Sequence, residues 1–124
     1  MKPANPVNPE QAVMFDGFVA KWQTLLNLGD WRLERGAKPA KQAMASVEFN
    51  DPARLATYRL GDFGAEQITA ASLEKTCIHE LLHVRLRDLI AMAQDRDATP
   101  EQLEAAEHAV INVMERLLFD RRVP

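Results

Sequence analysis

The sequence has one cysteine, Cys77, among 124 residues. An intrachain disulfide is therefore impossible, and a zinc site built from four cysteines is excluded. The 15 lysines and arginines do not outnumber the 18 aspartates and glutamates, so the formal net charge is -3. Because proteins that bind the phosphate backbone usually carry a basic excess, nucleic acid is not expected as the direct ligand.

Long apolar runs are also lacking. No stretch approaches the roughly 18 apolar residues that a membrane span requires, and the first residues show no apolar segment of the signal-peptide kind. We therefore expect a cytoplasmic protein with no membrane partner. The length fits one compact domain, so residues 1–8, interrupted by prolines, are predicted to be a flexible tail before a single domain over residues 9–124.

The spacing of apolar residues predicts three helices. Asn8, followed by proline and then by Gln11, is typical of a helix start, and apolar residues then recur every three or four positions over about 9–28. A second helix is predicted from about residue 69 or 72 to residue 94. A third begins at a second capping signature and covers about residues 99–120.

Between the first two helices, apolar residues alternate with polar ones, as they do in strands. The alternation covers about residues 31–34, 43–49 and 56–60, and Asn50-Asp51-Pro52 is typical of a turn. We therefore predict a small, three-stranded, largely antiparallel sheet and an α+β fold. The strand over residues 54–60 directly precedes the second helix, so we expect it to be the exposed edge on which an extended peptide could pair.

The second predicted helix carries the motif His79-Glu80-Leu81-Leu82-His83. Positions four apart lie about 40° apart around a helix, so both imidazoles project from one face and can bind one zinc ion. The Glu80 carboxylate can take the proton of a zinc-bound water as it attacks a carbonyl. The motif therefore predicts a zinc-dependent enzyme that hydrolyses peptide bonds. The simpler interpretation is a pair of histidines satisfied by hydrogen bonds in a core.

Catalytic zinc usually has three protein ligands, so the last helix should supply one more. The residues after His83 lack the glycine and histidine that extend the metzincin motif. An antiparallel return of the last helix brings Glu107 to within about 6 Å of the level of His83, and Glu107 falls on an apolar stripe expected to face inward. Glu107 is the predicted third ligand. Glu104 and His108 are alternatives, as is a structural ion pair between Glu107 and an arginine.

The motif, set in a helix–sheet–helix–helix order, resembles the HExxH zinc metallopeptidases, and more closely their minimal, single-domain, phage-type members. The resemblance covers nearly the whole chain after residue 8. It implies a zincin-like fold of the gluzincin kind, in which His79 and His83 bind zinc and Glu80 is the base. A glutamate of the last helix, best matched by Glu107, would complete the zinc site, and a peptide or protein would be the substrate.

Three other residues are further candidates for a role in the site. Tyr58 is either a core aromatic residue or a donor to an oxyanion, and Arg87 is either an ion-pairing side chain or part of the site. Cys77 lies on a different side of the helix from the histidines, so we expect a small buried hydrophobe.

The alternative function is a non-catalytic interaction module of phage or bacterial origin, in which zinc ties the last two helices together and stabilises the fold. A closed shell of four ligands would indicate this module, whereas three ligands and a water indicate catalysis. The sequence offers three good ligands and no obvious fourth, which favours the peptidase.

Overall fold

The computed structural model describes residues 4–120. The chain forms α1 (Pro9–Leu25), β1 (Arg32–Arg35), β2 (Ala45–Asn50), β3 (Leu55–Leu60), α2 (Ala70–Gln94) and α3 (Pro100–Asp120). The predicted α+β class is confirmed, with three helices and one small three-stranded sheet. Within residues 4–120, no helix combines the length and the apolar character needed to cross a membrane.

The sheet is mixed, with the strand order β1-β3-β2. β2 and β3 form an antiparallel hairpin, whereas β1 runs parallel to β3. The prediction of a largely antiparallel sheet is therefore wrong for one of the two pairings. After β1 the chain continues beside β3, since Gly36 N–H donates to the Tyr58 carbonyl (2.7 Å) and Ala40 N–H donates to that of Leu60 (3.1 Å). It then crosses beyond the end of β3 and returns as β2 on the other side.

This path places β3 in the centre and leaves β2 at an edge. The prediction that residues 54–60 form the exposed edge is therefore wrong. Alternating polarity shows that a segment is a strand, but it does not show which strand becomes its neighbour.

The core lies between the inner face of the sheet and the helices. Phe15 and Val19 of α1 pack there against Ala56 and Tyr58 of β3. The buried residues of α2 complete this core: Leu73, Cys77, Leu81 and Val84.

α1 begins as predicted and ends earlier. Asn8 and Gln11 form a reciprocal capping box, with Gln11 N–H donating to the Asn8 side chain at 2.8 Å. The helix stops at Leu25 rather than near residue 28, because Asn27 adopts the left-handed region at φ 55°. Arg116 of α3 donates to the Leu25 carbonyl (2.9 Å), so α3 supplies a cation to the end of a helix that has no basic residue in its own last turn.

The segment before α1 is attached to the body of the protein. Asn5 N–H donates to the Asp62 carboxylate (2.8 Å), the Asn5 side chain donates to the Glu66 carbonyl (2.9 Å), and Phe63 N–H donates back to the Asn5 carbonyl (2.9 Å). Val7 packs against the core. Within the predicted flexible tail over residues 1–8, residues 5–8 thus make these contacts with the body, whereas residues 1–3 lie outside the described part of the chain.

Two arginines tie α2 to the ends of the strands. Arg54 pairs with Asp88 at 2.6 Å, and Arg87 of α2 pairs with Asp51 in the β2–β3 turn, also at 2.6 Å. Each guanidinium also lies over an aromatic ring, with centroid distances of 4.0 Å to Trp31 and 5.0 Å to Phe49. These contacts fix the second half of α2 against the sheet.

Candidate active site

The orientation of α2 is set by its apolar residues. Thr69 caps the helix, with Ser72 N–H donating to the Thr69 hydroxyl at 3.0 Å. Four side chains on one side of the helix are buried in the core. The HExxH motif begins two positions after the buried Cys77. His79 and His83 therefore lie on another side of the helix from the buried residues, and both are exposed. The structure thus places the two histidines at the surface, not in the core.

The two imidazoles lie close together on the surface of α2. Their ring centroids are 5.1 Å apart, and their planes are inclined by 75°. Two imidazoles that bind one tetrahedral zinc at about 2.0–2.1 Å have centroids about 5 Å apart. The separation of the His79 and His83 rings is therefore compatible with a shared zinc ion.

Glu80 is the one charged residue that is buried within residues 4–119, with an exposure of 8%. Burial raises the pKa of its carboxyl group, and the neighbouring His83 and His79 oppose that rise. A carboxylate whose pKa is raised toward neutral pH is a better proton acceptor than an ordinary exposed one. Glu80 thus differs from its exposed neighbours in the way that a general base requires.

A hollow of about 300 Å³ opens beside the motif. His79 and Glu80 form one side of it, and residues 43–45, at the start of β2, form another. Glu66 and Lys75 also line the hollow. Sequence reasoning missed all of these companions of the motif. No spacing or composition in the sequence singles out Glu66 or Lys75. The start of β2 was not expected beside the motif, because residues 54–60 were predicted to be the edge strand.

The structure does not bring Glu107 to the histidine pair. Within residues 4–120, no group of three or more His, Cys, Asp and Glu side chains is placed to hold a metal ion. Glu107 is exposed, so the prediction that it faces inward is wrong. The side of α3 that packs inward consists of four residues at helical spacing: Ala106, Val110, Val113 and Leu117. Glu107 lies about 90° from the centre of that stripe.

The alternatives on α3 are no closer to forming a third ligand. Glu104 and His108 are both exposed, and they face each other at 3.6 Å, one helical turn apart. The structural ion pair proposed for Glu107 is likewise not formed with any arginine of residues 4–120.

The remaining candidates, Tyr58, Arg87 and Cys77, make structural contacts and do not lie free beside the motif. Tyr58 is buried, and its hydroxyl donates to Asp16 at 2.7 Å. Arg87 is engaged by Asp51. Cys77 is fully buried, and burial raises the pKa of its thiol to about 12, so it is neither a ready metal ligand nor a nucleophile.

Comparison with known proteins identifies no relative of this chain. No protein family model, no curated protein and no solved structure matches this chain. A functional proposal must therefore rest on the motif and on its surroundings in the fold.

Proposed function

We propose that the protein is a zinc-dependent metallopeptidase whose active site is the HExxH segment of α2. One observation carries the proposal: His79 and His83 have the separation that a shared zinc requires, directly beside the buried Glu80. A core pair would be buried and hydrogen-bonded, whereas these histidines are exposed.

Each residue of the motif has a defined role. His79 and His83 would hold the metal through their imidazole nitrogens. Zinc bound there would polarise the scissile carbonyl and lower the pKa of the attacking water. The Glu80 carboxylate accepts the proton of that water and then delivers it to the leaving amine. The surrounding apolar side chains limit the access of bulk water to the carboxylate, which keeps its proton affinity high.

The free edge of β2 is the proposed substrate platform. The start of this strand lines the same hollow as His79 and Glu80, and β2 pairs only with β3 among the strands of residues 4–120. An extended peptide that paired with β2 would therefore pass the motif with its backbone aligned. The sequence predicted pairing of a peptide with residues 54–60, which include β3, whereas the peptide proposed here pairs with β2.

Substitution of Glu80 separates binding from chemistry. Glu80→Gln keeps the shape of the side chain but cannot accept the proton, so we expect zinc content to be unchanged and peptide cleavage to fall by at least about 100-fold. His83→Ala removes a ligand and should lose both zinc and cleavage. The measurements are metal content after gel filtration and hydrolysis of an unstructured protein substrate. Glu104→Gln makes the same chemical change on the exposed side of α3 and should alter neither.

Two results would contradict these roles. Equal loss of zinc from Glu80→Gln and His83→Ala would make Glu80 a ligand rather than the base. Zinc-loaded wild-type protein that cleaves no member of a broad peptide library would contradict the peptidase itself.

The interaction module is the second candidate, and a specific feature favours it. Large apolar side chains remain exposed on the same face of α2 as the histidines and along α3: Leu82, Leu86, Ile90, Leu103, Ile111, Met114 and Leu118. Apolar surface of this kind is common at protein interfaces. Under this proposal, zinc raises the free energy of unfolding and no peptide is cleaved.

A further inference from the structure

A second hollow, of about 410 Å³, lies on the outer face of the sheet, beside the edge strand β2. Ser46 and Glu48 line it, and they point outward because the residues between and beside them in β2 pack toward the core. The hollow beside the HExxH motif lies at the start of the same strand. β2 therefore separates two hollows, one beside the motif and one on the opposite face of the sheet.

The outer hollow is positively charged. Lys38, Lys41 and Arg59 line it together with a single carboxylate, that of Glu48. Arg59 donates to Glu48 at 2.8 Å, and the charge of Lys41 also lowers the pKa of that carboxyl group. Three cations therefore share one carboxylate, and the hollow keeps a net positive charge. Neither lysine forms an ion pair within residues 4–120. Since the chain as a whole has a formal net charge of -3, this positive charge is a local concentration.

The backbone that carries the lysines is held in place. Gly61 N–H donates to the Met44 carbonyl at 2.8 Å, and a Cβ atom at Gly61 would collide with the Ala43 carbonyl. The Arg59 side chain packs against Gly36 and donates to the Lys38 carbonyl at 3.2 Å. The loop between β1 and β2 is therefore anchored at both ends. Lys38 lies where this loop runs along β3, and Lys41 lies where it crosses toward β2.

We propose that this outer hollow is a subsite for an acidic side chain of a peptide that pairs with the free edge of β2. The inference rests on the proposed function for the position of the peptide. In an extended strand, successive side chains point to opposite faces of the sheet. When one residue of the peptide faces the motif, its two neighbours therefore point to the outer face of the sheet, where the hollow with Lys38 and Lys41 lies. The substrate class is a peptide with aspartate or glutamate next to the residue that faces the motif.

The test measures binding, and metal-free wild-type protein is used so that no cleavage occurs. Two labelled extended peptides differ only by glutamate or glutamine at alternate positions. We expect the glutamate peptide to bind about threefold to tenfold more tightly at low salt, and the difference to vanish in about 0.5 M salt. Lys38→Glu and Lys41→Glu should each remove the preference. Arg96→Glu makes the same charge change in the α2–α3 turn and should retain it.

Equal binding of the two peptides, or a preference that survives both lysine substitutions, would overturn the subsite. Tighter binding of a single-stranded oligonucleotide through the same lysines would also overturn it. The zinc-loaded enzyme separates this inference from the proposed function. Cleavage of both peptides at equal rates would retain the peptidase and overturn the subsite, whereas acid-selective binding without any cleavage would retain the subsite and overturn the peptidase.

Discussion

At the scale of single residues, Tyr58 shows how burial decides between two roles. Its hydroxyl is buried in the core and donates to Asp16 at 2.7 Å, so it cannot also donate to a substrate beside α2. Burial, and then the hydrogen bond to Asp16, raise the pKa of Tyr58 well above its usual value near 10.

This pKa predicts the alkaline behaviour of the protein. The unfolded chain releases the Tyr58 proton near pH 10 and the folded chain retains it, so the unfolded state binds fewer protons and stability falls as the pH rises above about 10. Tyr58 is the one tyrosine in the sequence, so its ultraviolet titration is unambiguous. We expect no tyrosinate absorbance until the protein unfolds. A titration near pH 10 in the folded state would contradict the buried hydrogen bond.

Tyr58→Phe should test the same contact through stability. Removing a buried hydrogen bond to a carboxylate should cost about 1–3 kcal/mol in the free energy of unfolding at pH 7. The deficit relative to wild type should shrink above pH 10, because the variant has no phenol to titrate. Urea unfolding of both proteins at pH 7 and above pH 10 measures this difference.

Glu107 leads to a different residue-scale prediction. Because its side chain is exposed and is not grouped with the histidines, Glu107→Ala should leave zinc affinity within about twofold of wild type, as Glu104→Ala should. Zinc titration of the two variants and of His83→Ala provides the comparison. A loss confined to Glu107→Ala and comparable to that of His83→Ala would show that α3 rearranges to deliver a third ligand.

At the scale of elements, the pair Arg87–Asp51 connects the HExxH helix to the β2–β3 turn. The two hydrogen bonds, at 2.9 and 2.6 Å, use the forked geometry of the guanidinium. Both side chains are partly exposed, so solvent screening limits the coupling to about 0.5–1 kcal/mol. A double-mutant cycle with Arg87→Ala and Asp51→Asn should give this value. Additive effects would show that the ion pair itself contributes nothing to the attachment of the helix.

The segment before α1 should contribute to stability as an element of the fold. Deleting residues 2–7 removes three hydrogen bonds of Asn5 and the packing of Val7, so we expect a loss of about 1–3 kcal/mol in the free energy of unfolding. Deleting residues 2–4 leaves these contacts in place and is the matched control. Urea unfolding of both variants decides whether the segment is docked, and equal stability would contradict the docking.

Local signals explain which elements could be predicted. The starts of α1 and α3 were predictable because Asn8 and Thr99 are capping residues whose partners, Gln11 and Gln102, lie three positions along the chain. The pairing of the strands was not predictable, because alternation is the same in parallel and antiparallel neighbours. The prediction that Glu107 faces inward failed for a related reason. Which face of α3 is buried depends on how this helix crosses α2, and no residue of α3 encodes that crossing by itself.

At the scale of the whole molecule, the motif lies at the boundary between core and surface. The buried side of α2 belongs to the single core, and the other side presents two histidines and several apolar residues to solvent. The proposed site therefore depends on the whole fold for its orientation, since α1, α3 and β2 all pack on α2. The spacing within HExxH was predictable because it is contained in one helix. Of its companions, Lys75 lies in the same helix, whereas residues 43–45 and Glu66 come from the start of β2 and from the loop before α2.

The central place of β3 also has a consequence for assembly. β1 and β2 precede β3 in the chain, yet neither pairs with the other, and both pair with β3. During synthesis, residues 32–50 can therefore emerge from the ribosome without a native strand partner. The sheet can close only after residue 60 has emerged, and the hairpin of β2 and β3 has the shorter loop to close, so it should form before β1 joins. A nascent chain halted before residue 55 would expose β1 and β2 without the strand with which both of them pair.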